Sequence, residues 1–101
     1  LQLTGSAGHA GTVPMELRRD ALCAAAELVL AVEATARATP GLVATVGQLE
    51  VRPGAGNVIP GAATLSLDVR HQDDAARLAA VEAIRARVAA IAAARGVSLS
   101  W

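Results

Sequence analysis

Phenylalanine and tyrosine are absent from this chain, and tryptophan occurs once, as Trp101. Its core must therefore be built from Ala, Val, Leu and Ile, which calls for closely packed, alanine-rich helices. Cysteine also occurs once, so no disulfide can form within the chain. The apolar neighbours of Cys23 (Ala21, Leu22, Ala24 and Ala25) predict a buried, inert thiol inside a helix. An excess of charge of either sign is missing too, because nine basic residues balance nine acidic ones. That balance leaves no electrostatic footprint for phosphate backbones or anionic lipid, so neither nucleic acid nor a membrane surface is an expected partner. No run approaches the ~18 apolar residues of a membrane span, and the start lacks the regions of a signal peptide. A soluble, cytoplasmic protein is the expectation.

Metal ligands are equally scarce. His9 and His71 are separated by most of the chain and there is no second cysteine, so no complete metal site is expected among these residues. Gly54-Ala55-Gly56 lacks the Lys-Ser/Thr continuation of a phosphate loop and reads as a turn.

What is present suits one domain. A chain of 101 residues, 53% hydrophobic, is long enough for a single core. It begins at Leu1 rather than Met and ends on Trp101 within a strand-like run, which suggests a piece of a longer protein. Leu1-Gln2-Leu3-Thr4-Gly5-Ser6 alternates and predicts a strand. From about Arg18 the period becomes helical, with Leu22, Cys23, Ala26, Val29, Leu30 and Ala36 as the expected apolar stripe, and Pro40-Gly41 ends the helix. Residues 42–51 predict a second strand, and Arg52-Pro53-Gly54-Ala55-Gly56 a turn. In the third strand Leu65, Leu67 and Val69 face one way, and Thr64, Ser66, Asp68 and Arg70 the other. Asp73 or Asp74 caps the next helix, whose expected stripe is Leu78, Val81, Ile84, Val88 and Ile91 and whose end is Arg95-Gly96. Val97-Ser98-Leu99-Ser100-Trp101 predicts a fourth strand. The order βαββαβ predicts a ferredoxin-like α+β sandwich, a four-stranded antiparallel sheet with two helices on one face.

Three segments carry candidate chemistry. His9 lies in Gly8-His9-Ala10-Gly11-Thr12-Val13-Pro14-Met15, where glycines permit close approach and a neutral imidazole can donate or accept a hydrogen bond. Asn57, in Asn57-Val58-Ile59-Pro60-Gly61, offers an amide, or merely stabilises its own turn. Arg70, in Asp68-Val69-Arg70-His71, offers a fork that can hold a carboxylate by two parallel bonds, or pairs with Asp68 on the surface. Together an imidazole, an amide and a guanidinium could grip a carboxylate. Alternation turns His71 away from Arg70 and leaves its role open, while Arg18 and Asp20 read most simply as a charge pair at a helix start.

These motifs resemble the lid, or dimerisation, domain of the N-carbamoyl-L-amino-acid hydrolase and allantoate amidohydrolase family, within the aminoacylase-like dinuclear metallopeptidase superfamily. Residues 8–20 follow the family's His-Ala-Gly-Thr-Thr-Pro-Met stretch with its later Arg and Asp, Val13 replacing the second Thr. Residues 53–61 follow Pro-Gly-x-x-Asn-Val-Ile-Pro-Gly, and residues 68–71 follow Asp-x-Arg-His. The resemblance covers nearly all of residues 1–101. It implies a homodimeric enzyme whose separate catalytic domain holds two divalent metals, zinc or manganese, and leaves this chain inactive by itself. The residue matching His9 is implied to reach across the dimer toward the partner's active site, with a catalytic role. Those matching Asn57 and Arg70 are implied to bind the carboxylate of a small ureido or amide substrate. Hydrolysis of a linear C–N bond in an N-carbamoyl amino acid or allantoate follows as the expected activity. An aminoacylase or dipeptidase of the same superfamily is the nearest alternative, and a noncatalytic association module, pairing by an exposed sheet edge, is another.

Overall fold

The computed structural model describes residues 1–101. Alternation sets its strands, and the sheet assembles from short ladders laid end to end. In chain order the elements are β1 (Gln2–Thr4), β2 (Gly8–His9), a 3₁₀ turn (Met15–Leu17), α1 (Ala21–Ala38), β3 (Val43–Thr45), β4 (Leu49–Arg52), β5 (Val58–Ile59), β6 (Ala62–Leu65), β7 (Asp68–Arg70), α2 (Asp74–Arg95) and β8 (Ser98–Ser100). The central sheet runs β4-β6-β1-β8, antiparallel throughout. It is prolonged at one end by β2 against β5 and at the other by β3 against β7.

The first three expected strands are thus paths broken by short irregularities, while the fourth is the single strand β8. Between β3 and β4 the ladder is carried by Ser66, whose N–H donates to Gln48 O at 3.1 Å and whose Oγ accepts from Gln48 N at 2.9 Å. Joined this way, the four paths keep the ferredoxin-like order, with the third path between the second and the first. Leu3, Ala63 and Leu65 are buried beneath the helices, while Thr4, Glu50 and Arg52 are exposed. Leu67 and Val69 also pack on the core side, as alternation requires.

Both helices carry the ends their sequences call for. Asp20 caps α1, its Oδ1 accepting from Leu22 N at 2.8 Å and Cys23 N at 3.2 Å. Asp73, rather than Asp74, caps α2, and Gly96 closes it in the left-handed conformation at φ 67°. His71 ties these elements together: its Nδ1 accepts from Asp73 N at 2.9 Å, so Nε2 carries the proton donated to Pro40 O at 3.0 Å. Its role is to latch the end of α1 to the start of α2.

The face that α1 buries differs from the expected one. Ala21, Ala24, Ala25, Leu28, Ala31 and Val32 are buried, and none of Leu22, Cys23, Ala26, Val29, Leu30 and Ala36 is; Leu30 is 65% exposed. Apart from Glu27, residues 21–32 are apolar all round the helix, so the period alone does not choose a face. Packing decides instead, and it selects the alanines. Seven of the sixteen buried residues are alanine, which lets α1 and α2 approach closely in a core without large rings. Cys23 correspondingly lies exposed, and partial desolvation followed by the neighbouring Asp20 carboxylate raises its thiol above the ordinary range. In α2, Ile84 and Val88 are buried as expected, Val81 and Ile91 are half-buried, and Leu78 is 55% exposed. Complete burial of Leu28 contributes about 2 to 3 kcal/mol by removal from water. At the β8 edge the guanidinium of Arg85 sits 4.6 Å above the Trp101 ring.

Candidate functional site

His9 sits at the far end of the β2–β5 ladder, opposite Val58. Its carbonyl accepts from Thr12 N at 3.2 Å and Val13 N at 3.3 Å, closing a tight loop immediately beyond the strand. Gly11 N then turns back and donates to His9 Nδ1 at 2.9 Å. A backbone N–H is only a donor, so Nδ1 must be the unprotonated nitrogen and the neutral ring carries its proton on Nε2. His9 therefore presents an N–H donor outward from an exposed ring. Neither Gly8 nor Gly11 has a positive φ. What they supply is room: a Cβ on Gly11 would lie 3.1 Å from His9 Cε1 and 3.2 Å from Nδ1.

Asn57 stands beside this loop, because its carbonyl accepts from Ala10 N at 2.9 Å. Its exposed side-chain amide makes no hydrogen bond within the chain, so turn stabilisation does not occupy it. The structure thus brings His9 and Asn57 together. Behind them is Arg18, whose Nη2 donates to Ala10 O at 2.7 Å and whose Nε donates to Val13 O at 3.1 Å. The expected Arg18–Asp20 charge pair does not form: Asp20 caps α1 and Arg18 braces the loop. Sequence reading missed this role, because backbone acceptors carry no residue signature.

Arg70 is elsewhere. It lies in β7 opposite Val43, where its Nε donates to Asp68 Oδ1 at 2.8 Å and its Nη2 to Asp68 Oδ2 at 3.0 Å. Its side chain is 76% exposed. The Arg70 hydrogen bonds hold the Asp68 carboxyl below its ordinary range, and Asp68 raises the guanidinium in return. With Asp68 on the Nε edge, the outer Nη1–Nη2 edge still faces solvent and can accept a carboxylate.

Asn57 and Arg70 occupy opposite ends of one extended path, β5 through β7. At strand rise the thirteen residue steps between them span roughly 40 Å. No single small molecule can touch both within one chain. One surface depression, between residues 15–20, Cys23 and residues 93–96, is lined by none of His9, Asn57 and Arg70. No group of three or more His, Cys, Asp or Glu residues in the chain could hold a metal ion.

Residues 1–96 match the family described as a peptidase dimerisation domain. The chain is 44% identical over 98 residues to an N-carbamoyl-L-amino acid amidohydrolase of Geobacillus stearothermophilus, covering 97% of this chain and 24% of that protein. It is 43% identical over 102 residues to a ureidoglycolate hydrolase of Arabidopsis thaliana, covering 99% of this chain and 21% of that one. A solved hydantoinase/carbamoylase family amidase from Burkholderia ambifaria is similar with a TM-score of 0.94 at 42% identity, over 98% of this chain and 24% of that chain. The chain spans about a fifth to a quarter of the length of the curated relatives it matches.

Proposed function

The chain belongs to the peptidase dimerisation domain family, and from that membership we propose that it binds substrate and pairs subunits in an amidohydrolase cleaving linear C–N bonds of ureido carboxylates. The names of its relatives support the substrate class, since N-carbamoyl amino acids and ureidoglycolate both join a ureido group to a carboxylate. The observation that carries the proposal is the separation of His9 and Asn57 from Arg70 along one strand path. In a two-fold dimer, each site then takes His9 and Asn57 from one subunit and Arg70 from the other.

The division of labour follows from the groups themselves. Arg70 holds the substrate carboxylate through its free edge, while Asp68 keeps the guanidinium extended. From the other subunit, His9 directs Nε2–H at the oxygen of the attacked ureido carbonyl, where negative charge develops. The Asn57 amide donates alongside it. The two divalent metals, zinc or manganese, that the resemblance implies would be held by the rest of the longer protein and would supply the attacking water there. On this reading the isolated chain is inactive, and the whole enzyme works as a cytoplasmic homodimer.

Subunit mixing tests the proposal. His9→Ala and Arg70→Ala forms of the full-length enzyme, each strongly impaired alone, should reach about a quarter of wild-type activity when co-expressed in equal amounts, because mixed dimers hold one intact site. Mixed dimers that form yet remain inactive would overturn the shared site. Assays on allantoate, N-carbamoyl and N-acetyl amino acids would name the substrate, and acetyl preference would move the enzyme to the aminoacylase reading.

A further inference from the structure

We infer that Arg18 is a positioning residue for His9, holding the loop that orients the imidazole. The inference rests on the proposed role of His9 and extends it to a residue that touches no substrate. Of the loop's backbone groups, Ala10 N pairs with Asn57 O, Thr12 N and Val13 N turn back on His9 O, and Gly11 N is spent on His9 Nδ1. The carbonyls of Ala10 and Val13 point the other way, and both end on one guanidinium, at 2.7 and 3.1 Å. Arg18 is half-buried, and none of the chain's ion pairs includes it. Its side-chain hydrogen bonds go only to these two carbonyls.

A fork of fixed geometry bonded to two points of a short loop fixes both the height and the tilt of that loop. Gly11 lies between the two clamped carbonyls, so its N–H is held where Nδ1 can accept it. The chain of restraint runs from Arg18 through the loop to Gly11 and then to the proton on Nε2. Without the clamp, the loop carries Gly11 away, the Nδ1 acceptor loses its partner, and the ring is free to turn or to move its proton. A displacement of about 1 Å in a catalytic donor costs on the order of a hundredfold in rate. A lysine ammonium has three rotatable donors on a flexible stem and lacks the planar fork, so it holds the two carbonyls less rigidly.

A double-mutant cycle in the full-length dimer tests this. Arg18→Gln should lower kcat about ten- to a hundredfold while KM stays within about twofold, since the carboxylate anchor at Arg70 is untouched. His9→Ala should lower kcat at least as far. If Arg18 acts through His9, the double variant should be no slower than His9→Ala alone, within about twofold; multiplied losses would show an independent, structural role and overturn the inference. Arg18→Lys should fall between wild type and Arg18→Gln, and should replace it in the cycle if Arg18→Gln does not form dimers. A His9→Ala enzyme with wild-type kcat would instead overturn the proposed role of His9, and that single variant reads this outcome separately.

Discussion

The two ends of the β5–β7 path solve the same problem, holding one polar group in place, with different materials. At the His9 end the ring itself is held by main chain, a backbone N–H on Nδ1 and a glycine where a Cβ would press on it, with the Arg18 side chain bracing the loop behind. At the Arg70 end they are side chain: an exposed guanidinium forked onto an exposed carboxylate. Main-chain restraints fix direction and tolerate little change, as a donor aimed at developing charge requires. A side-chain pair tolerates adjustment, which suits an anchor that must follow a flexible carboxylate.

The sharpest break in this comparison should come from Gly5→Ala, at the base of the His9 end. The added Cβ would lie 1.9 Å from the carbonyl oxygen of Arg19, main chain against main chain. A loss of about 3 kcal/mol or more is expected in urea unfolding of the enzyme. A loss under about 1 kcal/mol would show that end to be as yielding as the other. Arg70→Ala should be the opposite case: kcat/KM should fall roughly a hundredfold, with the unfolding midpoint shifted only slightly because the side chain and its Asp68 pair are exposed. Unchanged kcat/KM would remove Arg70 from the site.

Gly11→Ala probes the contact beneath the imidazole more gently. Its Cβ would press on the His9 ring at 3.1 Å, and a drop of about tenfold in kcat with less than about 1 kcal/mol lost in stability is expected. Equal loss in His9→Ala enzyme would dissociate the effect from the ring. The smallest change should follow Asp68→Asn. The Asp68 carboxyl is held below its ordinary range by Arg70, so its stabilising contribution is present above the ordinary carboxylate range and lost as pH falls through the lowered value. Unfolding of wild type and variant compared across pH should therefore differ slightly near neutrality and converge in acid. A difference that widened toward acid would reverse that sign.

Much of the Arg70 end was legible in the sequence, because alternation through Leu65, Leu67 and Val69 places Arg70 on the outer face by itself. The Asp68 pair was legible for the same reason. The His9 end was readable only in its parts. His9 and Asn57 are distant in sequence, and the β2–β5 ladder that joins them is too short to announce itself by pattern. Arg18 acts on carbonyls, which every residue has. The α1 face failed differently: a helix apolar nearly all round has no preferred side until α2 and the sheet select its alanines. That one rotation also turned Cys23 from the expected interior to the surface.

A core assembled without Phe or Tyr leaves this part of the protein almost silent to light. Its one near-ultraviolet chromophore of any strength is Trp101, half-exposed at the β8 edge beneath the Arg85 guanidinium. Emission from that indole therefore reports the β8 edge and registers neither the His9 loop nor Arg70. Following those two ends by fluorescence requires a dye placed there, and the exposed thiol of Cys23, five residues past Arg18, is the chain's own handle for the His9 end.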